Sequence, residues 1–300
     1  MRRHVAVTLF VAALAASAPA RADAWGFEAH KYIMGRAIAL LPQQIRPFFE
    51  ASRVALVEHV VDPDLWRTAG WDEEGTQHFI DMDAYGPHPF TALPHDLDEA
   101  IGKHGKAFVE QNGTLPWRTE EFYRKLVDAF RQTQPYSREN IKFFSSVVGH
   151  YAADAHVPFH AALNHDGQLT EQWGIHARFE SDLFERNRAR LRIVPRPLTP
   201  VASVRELIFT ALTESFPFVR PVLEADKAAV AGRDVYDDGY YVSFFGKVRP
   251  ILEQRVSDSI TAVASIIAAA WVEAGRPALP LQARRPPRKV RRQQPGLSAG

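Results

Sequence analysis

The sequence predicts an all-α fold, a single multi-helix domain across residues 25–283. Apolar residues recur three and four positions apart in several long stretches, which is the period of an amphipathic helix. No convincing run of alternating residues flanked by hairpin dipeptides suggests strands. The chain is long enough, at 300 residues and 46% hydrophobic, to bury a sizeable core without cross-links, and it contains no cysteine.

The helices can be placed in order. The first gathers around Tyr32, Ile33, Ala37, Ile38 and Leu41. A second carries Phe122, Leu126, Val127 and Phe130 and is expected to open at Thr119, with Glu121 nearby. Ile141, Phe144, Val147, Val148 and Tyr151 form a third stripe, and Leu207, Ile208, Ala211, Leu212 and Phe216 a fourth. Residues 241–272 are periodic throughout, with Pro250 expected to break them. Residues 60–95, rich in Pro, Gly and Asp, and residues 163–174 are expected to be loop. No internal repeat is evident.

Both ends differ from this body. Residues 1–24 read as a secretory signal peptide: MRRH, then an apolar stretch, then Ala22-Asp23-Ala24 as the small-x-small cleavage site. The apolar stretch is shorter than the ~20 residues a membrane span needs. Cleavage there makes Trp25 the mature N-terminus and sends the protein to the periplasm or beyond. Residues 284–300 are rich in Pro, Gln and Arg and are expected to be a disordered basic tail, able to touch anionic surfaces peripherally. Three bases and one acid lie in residues 1–24 and six bases in 284–300, which leaves 27 bases against 34 acids in 25–283. An acidic body argues against a general nucleic-acid coat. Nothing in the sequence calls for an obligate protein partner.

Without cysteine, thiolate nucleophiles and thiolate metal sites are excluded, so a metal must be held by His, Asp, Glu or backbone groups. The 12 histidines supply the main functional signal. In GHYAADAHVPFH, His150 and Asp154 lie four apart and project from one helix face, and Pro158 should end that helix and turn His160 back. GIHARFE repeats the spacing with His176 and Glu180. QHFIDMD places His78 in the loop-rich stretch, VDPDLWR offers Asp62 and Asp64, and WGFEAH puts His30 at the start of the first helix. Imidazole and carboxylate donors suit zinc, and pairs four apart give two ligands from one rigid element. A lone pair of this kind is ordinary on a helix surface; two pairs with an intervening His160 are not.

Taken in order, these motifs resemble the zinc-dependent phospholipase C and S1/P1 nuclease superfamily: Trp25, His30, Asp64 followed by Arg67, His78, then His150, Asp154 and His160, then His176 and Glu180. The resemblance spans residues 25–180. It implies an all-α fold and three zinc ions. Asp64, His78, His150 and Asp154 would hold one, and His160, His176 and Glu180 the second. His30, Asp154 and the free amine and carbonyl of Trp25 would hold the third, so Asp154 would bridge two metals. Zinc lowers the pKa of a bound water to about 7 and so supplies hydroxide for attack on phosphorus, with Asp64 the carboxylate able to assist as base. No Gly-x-Ser-x-Gly elbow or P-loop offers a competing mechanism.

The substrate branch is divided. The Trp25–His30 spacing looks like the nucleases, which act on single-stranded nucleic acid. Glu180 and the short interval from His160 to His176 look like the phospholipases, and the phospholipase C reading is preferred. Glu28 stands where the phospholipases carry an acid facing a choline head group, although an acid at a helix start is ordinary. Trp66, Trp71, Phe79, Tyr85, Phe159 and Trp173 could stack a base or cage a cation, and most are expected in the core. Asp81 and Asp83 could orient His78 or form a turn. His156 and His165 are read as lying beside the ligands or facing substrate, with an exposed surface position as the alternative, and His59, His88, His95 and His104 as surface or loop. The contrasting class is a helical binding protein stapled by zinc, with no turnover.

Overall fold

The computed structural model describes residues 26–132, 136–279 and 281. The expected leader, Trp25 and the expected basic tail lie outside these residues. Every regular element among the described residues is helical. In chain order they are α1 (Phe27–Leu40), α2 (Arg46–Ala51), α3 (Arg53–His59), α4 (Asp62–Thr68), α5 (Leu97–His104), α6 (Lys106–Gln111), α7 (Leu115–Arg131), α8 (Ser137–Asp154), α9 (Ile175–Ala177), α10 (Leu183–Asn187), α11 (Val204–Ser215), α12 (Val219–Val230) and α13 (Asp238–Glu273). A π-helical turn, Arg178–Asp182, joins α9 to α10, and short 3-10 turns punctuate the rest.

The apolar stripes read from the sequence fall on buried faces. Along α1, His30 heads the stripe that continues through Ile33, Met34, Ala37 and Ile38, all buried. Helix α8 is buried on every side from Ser145 to its end, because α1, α3, α7 and α13 all pack on it. Its small residues make this approach feasible: a Cβ at Gly149 would lie 2.4 Å from Met34 Cε. His150 and Asp154 therefore end a helix that runs into the core, not a surface helix.

Three boundaries differ from the sequence expectation. Helix α7 begins at Leu115, not Thr119, with Pro116 in the first turn where its missing N–H costs nothing. Thr119 instead donates its hydroxyl to the Leu115 carbonyl, 2.8 Å away. Part of 60–95 is helical: in α4, Pro63 occupies the first turn and Asp62 and Asp64 sit at the positive end of the helix. Pro250 does not break α13. It lies on the solvent side, the residue four before it is Gly246, also exposed, and water can satisfy the carbonyl that loses its partner. Burial of Phe244, Phe245, Val248, Leu252 and Val256 on the other side holds the helix together across the proline.

Helix α13 is the one described helix long and apolar enough to cross a membrane, but 78% of its most apolar window is buried in the fold. One of its faces anchors an irregular segment. Glu253, Ser257, Thr261 and Ser265, spaced four apart, accept the backbone N–H groups of Arg192, Val194, Arg196 and Thr199 at 2.7–3.0 Å. A segment without its own ladder thus has its donors satisfied by a helix face.

The loop carrying His78 is pinned by backbone bonds from outside it. Ile80 N–H donates to the His160 carbonyl at 3.0 Å and Leu115 N–H to the Phe79 carbonyl at 3.1 Å. The chain closes onto this loop at Gly113, whose φ is +88° and whose Cβ, if present, would meet Phe79 O at 2.2 Å. Gly113→Ala is expected to combine a left-handed backbone penalty with a backbone clash and lower stability by about 2–4 kcal/mol, measured by urea denaturation of the metal-free protein.

Candidate metal centre

Eight of the nine predicted site residues lie among the described residues, and the fold brings all eight into buried groups. His30, Asp64, His150, Asp154 and Glu180 are fully buried, and His78, His160 and His176 nearly so. Donor atoms cluster within 4.8 Å in three sets: His78, His150 and Asp154; His160, His176 and Glu180; and His30, Asp64 and His150.

The side chains arrive from several elements, with His150 and Asp154 sharing α8. The spacing on α8 brings His150 Nε2 to 3.3 Å from Asp154 Oδ2. The Val60 carbonyl, 2.9 Å from His150 Nδ1, accepts that ring's outer proton and turns Nε2 inward. His30 stacks on His150 with centroids 4.0 Å apart and reaches Asp154 Oδ1 at 3.2 Å. His78 Nδ1 lies 3.0 Å from Asp154 Oδ2 and 3.0 Å from His150 Nε2. Asp154 thus faces three imidazoles at once.

Asp64 rather than Asp62 belongs to this group. Asp64 Oδ1 lies 3.8 Å from His78 Nδ1 and 3.9 Å from His150 Nε2. Asp62 turns outward and pairs with His59 at 2.9 Å. The second set forms where Pro158 starts a 3-10 turn, Pro158–Ala161, whose His160 gives its Nδ1 proton to the His78 carbonyl. Its Nε2 lies 3.9 Å from Glu180 Oε2, and His176 Nε2 is 3.0 Å from the same oxygen. Glu180 sits in the π-helical turn, an irregularity common at functional sites.

Burial sets the ionisation states. Desolvation, reinforced by His150, presses His30 down to about 4 against the pull of Asp154. His160 is likewise lowered to about 4, chiefly by burial, and His176 well below its ordinary value by burial and by the neighbouring His160. Burial pushes the Asp154 carboxyl up, but His150, His160 and hydrogen bonds from His150 and His30 hold it well below the usual carboxylate range. Neutral imidazoles and an ionised carboxylate at pH 7 are the forms that bind metal. His30 Nδ1 and His160 Nε2 are buried without a hydrogen-bond partner. Each such group costs roughly 1–3 kcal/mol unless something supplies the missing interaction. Nitrogen and carboxylate donors alone, converging in threes, fit zinc.

The profile of a family described as zinc dependent phospholipase C matches residues 29–212. The chain belongs to this family. No curated protein sequence matches it. Among solved structures, that of Clostridium perfringens alpha-toxin isolated from an avian strain is similar at 12% sequence identity and a TM-score of 0.45. The match covers 86% of this chain and 66% of the toxin chain, so the chain spans just under two thirds of the toxin's length.

The remaining expectations divide. Trp66 packs against the core, and Tyr85 and Phe159 are buried, whereas Trp71 and Trp173 are 60% and 61% exposed. His156 is buried and donates to the Ala152 carbonyl, outside the three groups, and His165 is exposed beside Phe79. Glu28 is exposed and pairs with Arg188 at 3.4 Å. Asp81 and Asp83 do not serve His78: Asp83 accepts the Leu163 N–H at 2.8 Å, and burial together with Asp83 raises Asp81 to about 7. The carboxylate facing the outer nitrogen of His78 is Glu74, at 4.0 Å. The sequence did not single it out, since Asp72, Glu73 and Glu74 read alike and only Glu74 is buried.

In this family member, acid acts on the metal-free fold in one direction. Histidines lowered from 6.5 to about 4 stay neutral when folded while the unfolded chain takes up protons, so their contribution is intact above pH 6.5 and falls towards pH 4. The depressed Asp154 adds loss in the same direction at lower pH. Urea denaturation of the chelator-treated protein should show stability decreasing from pH 6.5 to pH 4, by on the order of 1 kcal/mol per pH unit for each such histidine. A flat profile would contradict the buried neutral imidazoles.

Proposed function

We propose that the chain is an exported, zinc-dependent phosphodiester hydrolase of the phospholipase C type, its catalytic unit being residues 25–283. The observation that carries this reading is the dry convergence of His30, His78 and His150 on Asp154 beside the His160, His176 and Glu180 set, in a member of this family.

The proposed sites are those the resemblance implies: Asp64, His78, His150 and Asp154; His160, His176 and Glu180; and His30 with Asp154 and the terminal amine and carbonyl of Trp25. The distances from Asp154 to His30 and to His150 support its sharing between two sites. Gly26, the residue after Trp25, is buried against Ser181, where a Cβ would come within 2.4 Å of Ser181 Oγ. That contact sets the start of the described chain next to Glu180 and supports a ligand role for a terminus freed by export.

These residues would hold zinc, which would supply Lewis-acid chemistry toward a phosphoryl oxygen and bring the pKa of water down to about 7. The chain's own groups supply the rest. Asp64 takes the proton from the attacking water. His150 and His160, with outer protons held by the Val60 and His78 carbonyls, cannot rotate and keep their other nitrogens aimed inward. Arg67, one turn after Asp64 on α4, is near enough to help lower His176 and would add positive charge near a phosphodiester bound there. The exposed indoles of Trp71 and Trp173 suit a lipid interface, where an amphipathic ring lies half in hydrocarbon. The acidic body suits a lipid head group better than a long polyanion.

Elemental analysis of the mature protein should find three zinc ions, and phosphatidylcholine vesicles should be hydrolysed in preference to single-stranded DNA. The reverse preference would favour the nuclease, and bound zinc with no hydrolysis of either would favour a binding protein. His150→Ala and Asp154→Ala should each reduce hydrolysis to background; full activity in either contradicts the assignment. One extra residue before Trp25 should remove one zinc equivalent, and unchanged stoichiometry would count against the terminal ligand.

A further inference from the structure

Glu74 is among the few buried carboxylates outside the three metal groups, with only 5% of its surface exposed. Both of its oxygens are committed. Tyr151 donates its hydroxyl proton to Oε1, and Arg118 donates from NH2 to Oε2 at 2.7 Å. Arg118 also donates from Nε to the Tyr151 oxygen at 3.3 Å and packs over the Phe122 ring, so the three side chains form a closed arrangement between α7 and α8. Tyr151 follows His150 directly, and its ring meets the His78 ring edge-on at 5.6 Å.

The two nitrogens of His78 face different surroundings. Nδ1 is the one turned to the metal groups, 3.0 Å from Asp154 Oδ2, 3.0 Å from His150 Nε2 and 3.8 Å from Asp64 Oδ1. Nε2 is buried on the opposite edge, has no hydrogen-bond partner, and lies 4.0 Å from Glu74 Oε1. A neutral imidazole that offers Nδ1 to a metal must carry its proton on Nε2. That buried N–H needs an acceptor, and Glu74 is the group beside it.

We infer that Glu74 is the positioning residue for His78: clamped by Tyr151 and Arg118, it receives the Nε2 proton side of His78 and fixes Nδ1 as the metal-binding atom. The inference rests on the zinc site proposed above. His150 and His160 use backbone carbonyls for the same purpose; His78 alone of the three would use a carboxylate.

The test uses the mature, zinc-loaded protein with Glu74→Gln and Glu74→Ala, measured by competition with a chelator. Loss of the carboxylate should lower the affinity for one zinc equivalent about 10- to 100-fold in the alanine variant. The amide oxygen of the glutamine variant should restore part of that loss. Nitrogen NMR of the wild-type imidazoles should show His78 bound to metal through Nδ1 with its proton on Nε2, a reading that needs no variant to fold. The inference is overturned if His78 binds through Nε2, or if both variants keep every zinc equivalent at wild-type affinity. It is also overturned if only metal-free stability falls, which would make Glu74 a packing partner of Arg118 and no more. Wild-type protein that holds no zinc would sink the metal-centre reading itself, and the difference shows before any variant is made.

Discussion

A carboxylate and three imidazoles lie buried together beyond the reach of bulk solvent. Asp154 is fully buried, with nitrogen atoms of His30, His78 and His150 at 3.0–3.3 Å. Such a cluster gains nothing from burial by itself. Charged and polar groups in a dry interior cost several kcal/mol unless each finds a partner. His30 and His150, whose pKa values burial lowers, escape part of the penalty as neutral rings, and their inward nitrogens face the carboxylate. The arrangement becomes favourable when a cation occupies the centre, so folding and metal binding are linked in one equilibrium. Much of the surrounding architecture can be understood as holding this cluster in place.

The supports are backbone groups and helix ends more than other side chains. The Val60 carbonyl orients His150, the His78 carbonyl orients His160, and bonds from Ile80 and Leu115 hold the loop that carries His78. Helix α8 can enter the core because its last turns are lined by Gly149, Ala152 and Ala153, small enough for α1 and α13 to approach. The π-helical turn at Arg178–Asp182 has its own anchor, since Arg178 is fixed by Tyr240, Asp226 and the Trp173 carbonyl. That buried anchor lies two residues from Glu180, and it determines which way the turn presents its carboxylate.

Periodicity made the long helices legible. The stripes on α1, α7, α8 and α11 are strong because burial of one face repeats the same demand every three or four residues. The misjudged places are those where a local rule met an unusual surrounding. Pro250 breaks most helices, but here it lies on the water side of a helix whose opposite face is fully packed. Asp62, Pro63 and Asp64 have the composition of a loop, yet the same residues suit the first turn of a helix. The separation of Asp64 from Asp62 could not be made from spacing, because both lie within one turn and only the packing of α4 against α8 shows which carboxylate is buried.

The sequence by itself determined the helical class, the donor types available to a metal, and the pairing of His150 with Asp154 and of His176 with Glu180. These are short-range consequences of composition and of the 3.6-residue helical repeat. The tertiary structure decided which of the remaining carboxylates and imidazoles join them. It brought His30 from the first helix against a helix more than a hundred residues away, excluded Asp81 and Asp83 from His78, and set Glu74 beside it. Such choices depend on which side chains are desolvated together, and desolvation is a property of the packed chain, not of any stretch within it.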